Sequence, residues 1–361
     1  MSTLRDYLQD PFLKQLYSEI REAGPLRSIS VDLTHECNLR CKGCYFFEEG
    51  MDSIDIPTEK DFDDFISREK SRGTNFVTIV GGEPSMVIHR IKKIYDNFHT
   101  NVATNGLIKI PVDGLENLPI GISIWGKRET DSALRGNGKQ DLFGKALDNY
   151  RNDSRAFWYY TVAPGYVDEI EEVVSQCIEN GNSVLFNYYS DLSKLGGELD
   201  HNNGFEKVKQ EIDRMIDLYP GKILMTPYFN EVISEGELFG EKWGFNVCTN
   251  LSTDFSGNSE RLQNGNAFNP HFRAYNADFK STRRCCTGVE RDCDSCYDTW
   301  EHFSWIMVSL KKHLGSVEDF ANWLTTMYLF YYINGMVGSR KNIMSDIQEY
   351  LKQLNIGHVA T

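Results

Sequence analysis

Three closely spaced cysteines, Cys37-Asn-Leu-Arg-Cys41-Lys-Gly-Cys44, are the residues of this 361-residue chain whose types and spacing most directly imply chemistry. They put three thiolates on one short loop. Three thiolates can bind three corners of an iron–sulfur cubane and leave the fourth iron without a protein ligand, and an open coordination position is where a reactant binds. A chelating amino acid can fill such a position through its amine and carboxylate. The same three residues also suit a zinc site, with His35 as a fourth ligand.

The chain has nine cysteines, an odd number that cannot all pair as disulfides, and seven of them fall in two tight groups. Clustering of this kind points to metal rather than to disulfides. The second group is Cys285, Cys286, Cys293 and Cys296, with Cys248 standing 37 and 38 positions before its first two members. Cys248, Cys286, Cys293 and Cys296 make four ligands, enough for a complete auxiliary [4Fe-4S] cluster or a tetrahedral zinc site, and reduced cysteines without metal are the third reading. Adjacent Cys285 and Cys286 are not both expected on one centre, and position favours Cys286. Cys177 lies in the apolar helical pattern Ile170-Val173-Val174-Cys177-Ile178 and is expected to be a small buried hydrophobe. Tyr297, Asp298, Glu301 and His302 are candidate suppliers of protons or hydrogen atoms, although helix-start residues are ordinarily caps and solvated charges.

These groups need a scaffold, and the pattern around them supplies one. Short β-rich runs at 28–34, 76–80, 101–104, 121–125, 157–162 and 184–189 alternate with helical stretches at 58–71, 86–98, 142–152, 167–180 and 205–218. Such alternation predicts parallel strands joined by right-handed crossovers. Six units are too few for a closed eight-unit barrel, so the expected fold class is α/β, a partial (β/α)6 barrel with its site at the C-terminal strand ends. The expected division is an N-terminal helix at 1–27, the barrel at 28–235, a cysteine-rich region at 236–298 and C-terminal helices at 299–361. A structureless stretch as long as 236–298 calls for a crosslink, which metal ligation would provide. The aromatic stripe Tyr328, Phe330, Tyr331 and Tyr332 has helical spacing and is expected in the core.

Composition narrows the partners. A net charge of −14 argues against a polynucleotide, whose backbone needs clustered Lys and Arg. No run of about 20 apolar residues suggests a membrane span, and the N-terminus lacks the apolar stretch of a signal peptide. A cytoplasmic location is the expectation.

The cysteine triad after a first strand, followed by Gly81-Gly82-Glu83-Pro84 after a second, resembles the radical S-adenosylmethionine (SAM) superfamily over roughly residues 28–230. The resemblance implies a [4Fe-4S] cluster on Cys37, Cys41 and Cys44, with SAM on its open iron cleaved reductively to a 5′-deoxyadenosyl radical. It also implies that Gly81–Pro84 binds the amino group of SAM. Paired glycines allow close backbone approach and Glu83 can neutralise an ammonium. Thr104 and Asn105, Ser123, and Arg135 in a loop before the next helix match positions near the SAM ribose or carboxylate; Thr161 and Asn187 match the adenosine pocket. Most members carry an aromatic residue just before the third cysteine, where this chain has Gly43, a variant shared with the branch resembling adenosylhopene synthase; Tyr45 or Phe46 is the expected substitute. A C-terminal auxiliary cluster is frequent in the superfamily, which favours iron–sulfur over zinc for the second cysteine group.

The expected activity is hydrogen abstraction from a small molecule such as a sugar, nucleoside or lipid precursor, supported by a reductant such as flavodoxin or ferredoxin. Modification of a ribosomal peptide is the alternative. It is placed second because only about 27 residues precede the first strand, whereas peptide-modifying members usually bring a recognition module there. A non-catalytic metal-binding interaction protein is the reading from outside the enzyme class.

Overall fold

The computed structural model describes residues 4–136, 138–190, 205–236, 248, 250–256, 271–288, 296–338 and 342–359. Six strands, β1 Ser28–Asp32, β2 Phe76–Val80, β3 His99–Thr104, β4 Ile120–Ile124, β5 Ala156–Val162 and β6 Ser183–Tyr188, lie side by side in chain order, each parallel to the next. All five residues of β1 are buried, as expected of a parallel strand covered on both faces. The expected partial (β/α)6 barrel is present.

Helices precede, connect and follow these strands: α1 Leu4–Tyr7, α2 Pro11–Ala23, α3 Tyr45–Glu48, α4 Glu59–Arg72, α5 Ile88–Tyr95, α6 Arg128–Arg135, α7 Leu142–Tyr150, α8 Ile170–Glu179, α9 Phe205–Leu218 and α10 Pro227–Glu235. The leading periodic segment divides before Pro11, where Asp10 caps α2 by accepting from the amides of Phe12 and Leu13; proline fits the first helical turn because its missing N–H is not needed there. Helix α4 starts on a reciprocal capping box between Thr58 and Asp61 and stops at left-handed Gly73. Helix α6 is absent from the sequence expectation, which placed Arg135 in a loop; Arg135 is instead the last residue of that helix. The segment reads as polar, and only its buried face, including Asp131 and Leu134, marks it as helical.

The cysteine-rich region is more regular than its composition suggests. Two short strands, β7 Ala274–Tyr275 and β8 Thr282–Arg283, extend the same sheet beyond β1, with β7 parallel to β1 and β8 antiparallel to β7. Two-residue strands carry too little pattern to be read from sequence. Helices α11 Thr299–Val308, α12 Val317–Ile333 and α13 Ile343–Val359 follow. Helix α12 packs on α2 and α11, and Asn101 on β3 donates to the Asn334 side chain at its end, 2.6 Å away. Cys177 is fully buried in the main core, as its pattern implied.

Candidate functional site

A cavity of about 310 Å³ opens inside the curve of the sheet. Its wall follows the period of a strand: Ser28 and Ser30, Thr78 and Val80, Asn101 and Ala103, Ser123 and Trp125, Tyr159 and Thr161, Asn187 and Tyr189 all face it. Trp300, Ser304 and Met307 from one face of α11, with Phe330 from α12, close the opposite side. Phe330 is therefore not only core, although Tyr328 beside it is fully buried. Tyr45, Cys286, Thr287 and Asp298 line the same space.

Cys37, Cys41 and Cys44 lie half-buried on the loop that leaves β1, near enough to one another to interact electrostatically. Burial pushes the free thiols of Cys37 and Cys44 up to about 11 and raises Cys41 as well. A charged sulfur here therefore needs a compensating cation or N–H donors. Donors are present. The Leu39 amide points at Cys37 Sγ from 3.4 Å, the amides of Phe46 and Phe47 face Cys44, and the Arg135 guanidinium bonds the Cys41 sulfur. N–H groups aimed at sulfur are the environment in which thiolate-held iron clusters sit. The donor set fits a [4Fe-4S] cluster. Among the described residues, no three His, Cys, Asp or Glu side chains converge as ligands of a single ion would.

The Gly81–Pro84 turn packs directly on the cysteine loop. A Cβ on Gly82 would stand 2.0 Å from the Glu36 carbonyl oxygen, and one on Gly81, at φ +105°, 2.7 Å from Asp32 Cα. These glycines let the β2 turn press against the cysteine loop, where the Gly82 amide donates to Thr34 O at 3.0 Å and the Glu83 amide to Glu36 O at 2.7 Å. The Glu83 side chain is hydrogen-bonded within its own turn and to the end of β3. Its Oε1 accepts from the Ser85 amide and hydroxyl and from Thr104 Oγ1 at 2.6 Å, and its Oε2 accepts from the Asn105 amide at 2.8 Å. Glu83 thus clamps the β2 and β3 ends together, and Pro84 is buried in the turn that follows. Asn105 Nδ2 adds a bond to Asn38 on the cysteine loop at 2.6 Å.

Arg135 is held by Asp131 at 2.9 and 3.1 Å, and both are buried. The same Asp131 carboxylate accepts from the Trp125 amide at 2.8 Å, so α6 fixes both the guanidinium at Cys41 and the end of β4. Ser123 is half-buried on the cavity wall. Thr161 and Asn187 also line the wall, but they bond each other and then the roof: Asn187 Nδ2 donates to Thr161 Oγ1 at 3.3 Å, and Asn187 Oδ1 accepts from the Thr299 amide at the start of α11.

Gly43 has a structural cause. Its φ is +66°, and a Cβ there would meet the Tyr189 hydroxyl at 2.8 Å. Tyr189 packs edge-on against Trp125 with ring centroids 5.9 Å apart. An aromatic wall therefore stands over Gly43, built from the ends of β4 and β6. Neither ring was singled out from sequence, yet each lies two residues after one that was, Ser123 and Asn187, which is the strand period. Tyr45 is half-buried beside Asp32, Arg283, Cys44 and Cys286.

The second cysteine group separates into two environments. Cys248 and Cys285 share a small buried cluster with Leu251, and Cys296 is buried within electrostatic range of Cys248. Cys286, preferred from sequence position, turns the other way. It lines the cavity, and its thiol donates to Glu301 Oε1 at 2.7 Å. Cys286 starts the tight turn that the Cys285 and Gly288 backbones close, and there its side chain leaves the Cys248 cluster for the cavity. Cys293 lies outside the described residues. Asp298 caps α11 by accepting from the Trp300 amide; burial and Asp298 together hold the Glu301 carboxyl well above the usual range. His302, fully buried, is pushed down to about 4 by desolvation.

One residue missed from the sequence ties these parts together. Arg283 on β8, fully buried, makes a two-pronged bond to Asp32 at the end of β1 at 2.7 and 3.0 Å and donates to the Cys286 carbonyl at 3.2 Å.

No family model matches the sequence. The chain is 24% identical over 208 residues to the sporulation killing factor maturation protein SkfB of Bacillus subtilis, an alignment covering 53% of this chain and 48% of SkfB; the chain thus spans about half the length of the curated relative it matches. Among solved structures, Streptococcus suis SuiB bound to precursor peptide SuiA aligns with a TM-score of 0.44 and 17% identity, covering 60% of this chain and 52% of that one. Native anSMEcpe with bound AdoMet and Cp18Cys peptide aligns with a TM-score of 0.49 and 16% identity, covering 82% and 84% of the two chains. No described helix is long and apolar enough to cross a membrane.

Proposed function

We infer that the chain belongs to the radical SAM superfamily, and we propose that it is a peptide-modifying enzyme of that superfamily. The observation that carries the first step is the joint placement of Cys37, Cys41 and Cys44 after β1 and Gly81–Pro84 after β2, interlocked by backbone hydrogen bonds, with their neighbours Gly43, Tyr45 and Val80 lining one cavity. Cys37, Cys41 and Cys44 would hold a [4Fe-4S] cluster with an open iron for SAM, and the chemistry it would supply is one-electron cleavage of SAM to a 5′-deoxyadenosyl radical, with the electron from a flavodoxin- or ferredoxin-type reductant.

The chain's own residues do the rest. Leu39, Phe46, Phe47 and Arg135 donate to the three sulfurs. Gly81–Pro84, Thr104 and Asn105 set the height of the cysteine loop, and their backbone edge, rather than the Glu83 carboxylate, is left for the SAM amino acid. Ser123, Thr161 and Asn187 offer polar wall positions for the adenosine, next to Gly43, Tyr45, Trp125 and Tyr189. Tyr159, Trp300, Met307 and Phe330 wall off the far side from water, which protects a radical from side reactions.

The naming of SkfB as the maturation protein of a killing factor favours a peptide over the small molecule expected from sequence. For the second cysteine group, Cys248, Cys285 and Cys296 are proposed as ligands of an auxiliary iron–sulfur centre, with Cys293 as the fourth and Cys285 replacing Cys286.

Anaerobic reconstitution followed by iron and sulfide counts, then dithionite and SAM, tests the reading. The expected result is 5′-deoxyadenosine from the wild type and none from C37A, C41A or C44A, each of which should also lose the iron of one cluster. Absence of 5′-deoxyadenosine from a wild-type protein with an intact reduced cluster would overturn it. Short peptides encoded beside the gene should then change mass in a SAM-dependent reaction; a sugar or nucleoside turning over while every peptide stays unchanged would refute the peptide assignment.

A further inference from the structure

Cys286 stands apart from the other cysteines of its group because it faces the reaction cavity. It lines the space that also holds Tyr45 and Gly43 from the cysteine loop and Tyr159 and Trp300 from the opposite wall. Its thiol is held by a bond to Glu301 Oε1 at 2.7 Å, and its backbone carbonyl by Arg283. Cys285 meanwhile sits with Cys248 and Leu251 outside that space. A half-buried thiol, fixed by two separate side chains and open to a cavity proposed to generate carbon radicals, is placed for hydrogen transfer rather than for metal.

We propose that Cys286 is a hydrogen-atom donor that quenches a carbon radical formed in the cavity. The inference rests on the proposed radical SAM function. In the step, the Cys286 S–H bond breaks homolytically and a C–H bond forms, leaving a closed-shell product and a thiyl radical on Cys286. One electron from the low-potential reductant of the flavodoxin or ferredoxin class and one proton, delivered from solvent through the Glu301 and Asp298 carboxyls at the same end of α11, return the thiol. Thiols suit this role because the S–H bond is weaker than most C–H bonds and its hydrogen exchanges with water. Glu301 acts as a positioning residue that holds the thiol at the cavity edge.

Solvent exchange makes the step visible without knowing the peptide. Reconstituted protein is turned over with SAM and dithionite alone in D2O, and the 5′-deoxyadenosine formed is analysed by mass spectrometry for deuterium per molecule. The adenosyl radical itself is then the probe. Wild type and C177S, which alters a core cysteine remote from the cavity, should give mono-deuterated product, and C286S and C286A should lower the deuterated fraction at least tenfold. An equal fraction in C286S would overturn the proposal while leaving the cleavage reaction intact. A wild type that forms no 5′-deoxyadenosine from an intact cluster would overturn the proposed function and this inference with it. A second measurement needs no turnover: iodoacetamide treatment of the reconstituted protein followed by peptide mapping should label Cys286 ahead of Cys285, without loss of iron. Labelling of Cys285 with protection of Cys286 would reverse the assignment of the two cysteines and overturn the proposal.

Discussion

Replacing Gly82 with alanine tests whether the paired glycines serve the contact between two loops. The added Cβ would lie 2.0 Å from the Glu36 carbonyl oxygen, where real Cβ contacts do not fall below 3.0 Å, so the loops must part by at least 1 Å. The atom in the way is backbone, which cannot swing aside as a flexible side chain would. Separation stretches the two bonds that join the loops, Gly82 N to Thr34 O and Glu83 N to Glu36 O. At about 1 kcal/mol each, their loss costs about 2 kcal/mol. For a chain of 361 residues that corresponds to a fall in Tm of about 3 °C.

The larger effect falls on the proposed metal site. Glu36 immediately precedes Cys37, so a shift of 1 Å at its carbonyl moves the first sulfur out of register with Cys41 and Cys44. G82A should therefore fold, with near-wild-type far-UV circular dichroism, yet bind markedly less iron at the first site on reconstitution. Gly338→Ala is the control, because a Cβ there meets nothing within 4 Å. A G82A protein with the wild-type iron count and an unchanged melting temperature would refute the steric account of the motif.

The Asp32–Arg283 pair is fully buried, so D32N or R283M alone should cost about 3–5 kcal/mol in denaturant unfolding by leaving one charge uncompensated, whereas the D32N/R283M double variant should recover much of that loss; strictly additive losses would argue against the pairing. Gly43→Ala should be destabilised by its left-handed φ and by the 2.8 Å approach to the Tyr189 hydroxyl, and Y189F should rescue it, with a coupling of about 0.5–3 kcal/mol in a double-mutant cycle. His302 is neutral in the fold because burial lowers it from 6.5 to about 4, while the unfolded chain takes up its proton near 6.5. Its contribution is present in full above pH 6.5 and is lost as pH falls from there toward 4, amounting to about 3 kcal/mol at about 1.4 kcal/mol per pH unit. Unfolding free energies of wild type and H302Q measured between pH 7 and 4 should converge as the pH falls; parallel curves would exclude this histidine as a source.

The barrel strands were legible because each is a short apolar run with a turn at either end, and β2 matches its expected bounds of 76–80. The cysteine triad was legible because its three thiols are local in sequence. Non-local contacts were not. Glu83 was expected to neutralise an ammonium, and only the fold reveals the bonds that Ser85, Thr104 and the Asn105 amide make to its carboxylate. Arg283 and Asp32 are 251 positions apart, and nothing in either neighbourhood signals the partner. Cys285 and Cys286 differ in which way each faces, a property of the turn between Cys285 and Gly288 rather than of composition. Tyr189 and Trp125 were within reach: extending the strand period two residues past Asn187 and Ser123 places both on the cavity wall.

The short β7–β8 pairing gives Arg283 a role that reaches beyond stability. Its guanidinium holds Asp32, the last residue of β1, from which the chain runs directly into the cysteine loop. The same guanidinium holds the carbonyl of Cys286. The base of the metal loop and the cavity-facing thiol are therefore referenced to one rigid, buried group, with Tyr45 beside both. Were the two sites positioned independently, damage to one would spare the other. A shared anchor requires the opposite: loss of Arg283 must disturb iron binding at Cys37, Cys41 and Cys44 together with the orientation of Cys286, even though Arg283 touches none of the three ligand sulfurs. That coupling explains how the β7–β8 pair can be integral to a site built on β1 and β2, since these two short strands connect the loop where the radical is proposed to arise to the thiol proposed to quench it.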